Sequence, residues 1–144
     1  MGFVAPDLRS SAAQIFWEGC SRSVLLMPRC QGCQRFRWYL QVACPWCWTL
    51  EADWVPVSGD GVVFTFTVVE RAFNPALADW IPFVSALIQP IESPDIRFVS
   101  RIVNCDIDDV HVGMPVSVEF CRVDDRLVMP LFRPRIAGPG DDTG

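Results

Sequence analysis

Four cysteines carry the clearest chemistry in this chain: Cys30-Gln31-Gly32-Cys33 and Cys44-Pro45-Trp46-Cys47. A Cys-x-x-Cys turn aims two thiolates at one point. Two such turns facing each other complete a tetrahedron around a metal, with Zn–S bonds of about 2.3 Å. The pattern predicts a zinc ribbon in which Cys30, Cys33, Cys44 and Cys47 hold one structural Zn2+. Metal binding of this kind orders a short, loop-rich segment by itself. Four thiolates fill the shell and leave no position for a catalytic water. Two rival readings use the same residues. Paired disulfides call for a secreted chain, yet no charged n-region and apolar h-region follow Met1. A redox couple at Cys44 and Cys47 calls for a βαβ context, which the surrounding pattern lacks.

The remaining reactive side chains form no set. His111 is the only histidine and precedes Gly113 in a turn, with no Ser or Cys partner identifiable by spacing. Asp106, Asp108 and Asp109 lack the twelve-residue order of an EF-hand and read as a solvated turn. No Gly-rich phosphate loop is present. Cys20, Cys105 and Cys121 read as small buried hydrophobes. No catalytic residues are therefore expected. Arg35 and Arg37, between the cysteine pairs, are candidate contacts for a carboxylate or phosphate, including that of a nucleotide-bearing ligand.

The elements that must position these groups follow from the patterning. Ser11 and Gln14 have capping-box spacing, and a short helix is expected from Ala12 to Gly19. Ile15, Phe16 and Trp17 are consecutive, so they face several directions. The helix either packs on its own domain or docks on a partner chain. Val24–Met27 reads as a strand. Arg35-Phe36-Arg37-Trp38-Tyr39-Leu40 forms a basic, aromatic finger, and Trp46 and Trp48 flank the second cysteine pair. These aromatics either shield the metal or project an apolar patch toward another protein. Trp54–Val57 enters a second unit, and Ser58-Gly59-Asp60-Gly61 is a turn. Strands are expected at 62–70, 83–91, 96–104, 116–123 and 126–132. Five successive strands with one long early connection, 72–82, suggest a small closed barrel of the OB kind. The chain is thus read as mainly β. A helix and ribbon occupy 1–53, a five-stranded barrel occupies 54–135, and 136–144 form a disordered tail.

Composition narrows the partners. The 144 residues are 51% hydrophobic, enough for a core, and contain no apolar run long enough to span a membrane. The net charge is −5, and every basic residue is Arg. Such a chain repels phosphate backbones, so nucleic acid is not the expected main partner. A single-stranded nucleic-acid-binding ribbon/OB module, with Phe64, Phe66 and Trp80 stacking on bases, is the alternative. Seven cysteines without a secretory signal fit a reducing compartment, the cytoplasm.

Over about residues 12–134 the layout resembles the DUF35 family, with its N-terminal helix, rubredoxin-like zinc ribbon and C-terminal OB-fold. The resemblance rests on Phe16-Trp17, the four ribbon cysteines and the run from Ser58-Gly59-Asp60-Gly61 to Thr67. It continues through Ile81-Pro82-Phe83, Val112-Gly113-Met114-Pro115-Val116 and the closing Pro130-Leu131-Phe132-Arg133-Pro134. It implies a non-catalytic, zinc-binding accessory subunit of a thiolase-like acyl-CoA enzyme: a thiolase, an acyltransferase or a steroid side-chain retro-aldolase. It also implies a hetero-oligomer that supports assembly and acyl-CoA binding. Phe16, Trp17, Trp38, Tyr39 and Leu40 would be docking surface. Many members carry a Pro-Pro-Arg-like run where this chain has Tyr39-Leu40-Gln41, so no arginine is offered there to a phosphate.

Overall fold

The structure is a computed structural model and describes residues 11–38, 43–72, 75 and 78–135. The described residues begin with a helix, α1 (Ser11–Ser21), and continue in strands. These are β1 (Leu25–Cys30), β2 (Ala52–Val57), β3 (Asp60–Val69), β4 (Phe83–Pro90), β5 (Phe98–Ile102), β6 (Pro115–Arg122) and β7 (Val128–Pro134). A single 3-10 turn, Ile107–Asp109, lies between β5 and β6. The tail at 136–144 lies outside the described residues.

The helix runs past Gly19, which sequence reasoning placed at its end. A Cβ at Gly19 would stand 2.8 Å from the Val24 carbonyl oxygen and 3.0 Å from Leu26 Cδ1. Glycine is used there so that β1 can press against the helix. The chain reverses two residues later, where the Arg22 and Val24 amides donate to the Gly19 carbonyl at 3.0 and 2.8 Å.

β1 and β2 form a two-stranded antiparallel sheet, in register from Leu25↔Val57 to Cys30↔Ala52. Trp54–Val57, read from sequence as the entry to the second unit, is thus hydrogen-bonded to β1 before it leads into β3. The other five strands close a barrel in the order β3-β4-β5-β7-β6. β3 pairs with β6 at Asp60↔Ser117, and β5 meets β7 in parallel at Ile102↔Phe132. The alternation that marked 62–70 as a strand is interrupted by a register shift between Val63 and Thr65. Such a bulge bends a strand and lets a short sheet curl shut.

The barrel interior holds Val63, Val84, Ile88, Ile102, Val116 and Phe132, and α1 packs against β1, β6 and β7. Fully burying each such side chain contributes about 1.5–3 kcal/mol. Gly59 governs the corner between the sheet and the barrel. Its φ is +85°, and a Cβ there would overlap the Val118 side chain. Gly59→Ala is expected to cost about 2–4 kcal/mol, from left-handed backbone strain together with overpacking. The urea unfolding midpoint measures it, and an unchanged midpoint would contradict the assigned corner.

Candidate metal centre and its surroundings

The two cysteine turns are built alike. In the first, Cys30 ends β1; its amide donates to the Arg35 carbonyl at 2.8 Å, and the Gln34 amide donates to the Cys30 carbonyl at 3.0 Å. In the second, the Cys44 amide donates to the Thr49 carbonyl and the Trp48 amide to the Cys44 carbonyl, both at 2.9 Å. Gln34 and Trp48 occupy matching positions, and both have left-handed backbones, with φ of 67° and 66°. The sequence-predicted ligands are brought together. Cys30 Sγ lies 3.5 Å from Cys47 Sγ, Cys33 Sγ lies 3.6 Å from Cys44 Sγ, and all four sulfurs fall within 4.8 Å of one another. A tetrahedron of Zn–S bonds at about 2.3 Å has S···S edges of about 3.8 Å. The donor set therefore fits a metal ion of that size and softness.

Electrostatics point the same way. The Cys33 amide, helped by Arg37, Cys47 and the Gly32 amide, pulls the Cys30 thiol down to about 5 against the opposing effect of burial. At Cys33 the Arg35 amide favours the thiolate, but desolvation and the three neighbouring sulfurs outweigh it and push the thiol up to about 11. Burial opposes the Cys44 thiolate, but the amides of Trp46 and Cys47 outweigh it and hold that thiol below its ordinary value. Four thiolates this close need a cation to coexist, and metal uptake must displace protons. Acidification is therefore expected to release the metal. Protonation favours the free thiols as pH falls, so metal retention measured from pH 8 to pH 4 should decline monotonically. Retention unchanged at pH 4 would contradict a thiolate site.

The two arginines between the turns have different fates. Arg37 is only 3% exposed, and its guanidinium donates to the carbonyls of Leu50, Thr49 and Glu51 at 2.9, 2.6 and 3.1 Å. It fastens the exit of the second turn onto the first, which is a structural task rather than an opening toward a ligand. Arg35 lies over the Trp46 ring at 5.2 Å, a cation–π contact on the ribbon surface.

The candidate docking residues gather into an aromatic cluster. Phe16 is only 3% exposed, and its ring centroid lies 4.9 Å from Trp17, 5.0 Å from Trp38 and 6.0 Å from Phe98. The structure thus places Phe16 in the core of this chain, joining helix, finger and barrel. Trp17 and Trp38 are half-buried around it. Tyr39 and Leu40 lie outside the described residues. Apolar side chains are left open on the ribbon, Trp48 at 78%, Leu50 at 61% and Trp46 at 40%, and also on the barrel, at Val112, Ile91, Val99 and Phe64. Leu50 was not legible as exposed, because an apolar residue beside a strand reads as core.

His111 lies in an exposed turn, with Nδ1 3.0 Å from the Asp109 carbonyl oxygen. Among the described residues no helix is long and apolar enough to cross a membrane.

Comparison with known proteins follows the same division of the chain. Residues 54–121 match the family model of the ChsH2 C-terminal OB-fold domain. Over 122 residues the chain is 31% identical to a probable enoyl-CoA hydratase alpha subunit of Thermomonospora curvata. That match covers 84% of this chain but 37% of the relative, so the chain spans little more than a third of that protein's length. It is 32% identical over 103 residues to a DUF35 domain-containing scaffold protein of Methanocaldococcus jannaschii, covering 71% of each. Among solved structures it resembles a chain of the Ltp2-ChsH2(DUF35) aldolase. There the TM-score is 0.77 and the identity 30%, covering 92% of this chain and 98% of that one. A protein of unknown function from the DUF35 family of Sulfolobus solfataricus shares the fold, with a TM-score of 0.60 and 16% identity over 88% and 87% of the two chains.

Proposed function

This chain belongs to the DUF35 family, and from that premise we propose that it is a non-catalytic accessory subunit of a thiolase-like acyl-CoA enzyme. The observation that carries the reading is the likeness, over 92% of this chain, to a DUF35 chain from an aldolase that also contains Ltp2. The name of the Thermomonospora relative, an enoyl-CoA hydratase subunit, supports the same substrate class. Within the chain, the reading is supported by four clustered cysteine sulfurs that would fill a metal's coordination shell and leave no open position. It is supported too by apolar side chains exposed at the ribbon tip. In this reading the cluster holds a structural Zn2+, the chain works in the cytoplasm as part of a hetero-oligomer, and it aids assembly and acyl-CoA binding. The two working units are 1–53 and 54–135, and Trp54–Val57 of the second pair back onto β1 of the first.

The test is purification of the tagged chain from its own source cells, with the co-purifying proteins identified by mass spectrometry. A near-stoichiometric thiolase-like protein is expected, with acyl-CoA turnover that requires both subunits. Recovery of the chain alone would overturn the reading. Trp17→Ala is expected to weaken that association more than it lowers the melting temperature of the isolated chain; the opposite order would return Trp17 to the core. The nucleic-acid reading has less support. Arg97 covers the Phe64 ring at 4.0 Å, and Phe66 packs against the core. Titration with single-stranded DNA and RNA at low and moderate salt checks it, and weak or absent binding is expected.

A further inference from the structure

Away from the ribbon, Arg101 of the barrel makes no ion pair among the described residues. Arg101 sits on β5, and its Nε is buried without a hydrogen-bond partner. The ion pairs described nearby belong to other residues, Arg133 with Glu119 at 3.8 Å and Arg135 with Asp60 at 4.0 Å. Glu119 also accepts from Asn104 Nδ2 at 2.8 Å. The Arg101 guanidinium instead lies 4.6 Å from the Trp80 ring centroid and 5.6 Å from that of Phe83. Stacking of this kind holds the fork in one plane. Burial pulls the Arg101 pKa below its ordinary value. A desolvated cation without a counter-charge is costly, and an arriving anion would offset that cost.

Arg101 also stands where two hollows meet. One is a cleft of about 650 Å³, and the other, of about 240 Å³, reaches back to Trp17. Arg101, Trp80, Phe83, Met129 and Leu131 wall both. The larger volume is in the range of small-molecule sites, which combine apolar walls with a few polar anchors. Its place in the fold agrees. β4 and β5 are the second and third barrel strands, and Trp80 comes from the loop between the first and second. In OB-type barrels that face and that loop form the ligand groove.

We propose that this cleft binds a small organic anion, a carboxylate or phosphate monoester bearing an apolar or aromatic body. Arg101 takes the anion with its planar fork, and Trp80, Met129 and Leu131 take the body. A polyanion fits poorly, because the chain carries a net charge of −5 and Glu119 stands in the same cleft. The inference stands apart from the accessory-subunit reading and holds or fails on the purified chain.

Calorimetric titration of the full, metal-loaded chain with decanoate, phenyl phosphate, decanol and inorganic phosphate tests it. At least one of decanoate and phenyl phosphate is expected to saturate at one site per chain, and the stronger of the two tells a carboxylate from a phosphate ester. Decanol and inorganic phosphate, which each lack one half of the match, should bind at least tenfold more weakly. Arg101→Gln should weaken the anion at least tenfold, and Arg101→Lys should not restore it fully, because a point charge lacks the fork and the stacking face. A readout without substitution covers the case in which these variants misfold: the Arg101 Nε–H resonance of the wild-type chain should shift with the anion and not with decanol. Equal binding of decanol and decanoate, no saturation by either anion, or an unmoved Arg101 resonance would overturn the proposal.

Discussion

Cys44→Ser is expected to take the metal content of the purified chain from one ion to near zero. The Cys44 thiol is fully buried, and its sulfur lies 3.6 Å from that of Cys33. A serine oxygen is harder than sulfur, sits on a shorter bond and stays protonated, so it cannot complete a thiolate tetrahedron. Structural zinc contributes an apparent free energy on the order of 10–16 kcal/mol in small metal-ordered units. Beside the metal, the knuckles are held by the Arg37 fork, their own turn hydrogen bonds, the Gln31 amide on the Glu51 carbonyl and the β1–β2 pairing that reaches Cys30, each hydrogen bond contributing only about 0.5–1.5 kcal/mol. The ribbon should therefore unfold while the barrel keeps its strands. Elemental analysis by mass spectrometry, paired with circular dichroism on the same sample, checks both halves and identifies the metal. Unchanged metal content would refute the ligand assignment.

Phe16→Ala is expected to destabilise the isolated chain by about 3–5 kcal/mol, the usual cost of emptying a large aromatic site in a core. Domains of this size are stable by only about 5–15 kcal/mol in total. The loss should thus show as a large fall in the urea midpoint, with the metal still bound. The reason is geometric. Phe16 contacts Trp17, Trp38 and Phe98, and Phe98 continues to Phe132 at 5.9 Å. One ring therefore bridges the helix, the finger and β5, and through Phe98 the contact continues to β7. A small stability change accompanied by lost partner binding would instead make Phe16 a docking residue.

Elements whose signals are local were legible from the residues. The cysteine spacing located the four-sulfur cluster, and the alternation of 62–70 located the first barrel strand. What escaped depended on distant partners. Trp54–Val57 reads like any strand, and nothing local says that it hydrogen-bonds to Leu25–Met27 before the barrel begins. Three consecutive apolar residues at 15–17 gave no single face, so only the position of Phe98 decided that Phe16 is buried. Arg37 reads as a candidate contact for a carboxylate or phosphate until three carbonyls of residues 49–51 are found around it. Arg101 sits in a strand pattern that reveals only its alternation, and the ring beneath it arrives through a loop that sequence reasoning left without structure.

The packing of α1 against β7 also sets an order of events during synthesis. The ribbon can be assembled once residue 57 has left the ribosome, because β1, β2 and all four thiols are by then available. The helix must wait. Its seat on the barrel includes β6 and β7, so a complete seat exists only when the chain has emerged through Pro134. Domains tend to form vectorially as they emerge, and here the first element is the last to be covered. Until then Phe16 and Phe98 present an oily, unsealed surface. A ribosome stalled before residue 128 would hold a finished ribbon on an open barrel, the kind of exposed apolar surface that chaperones take up.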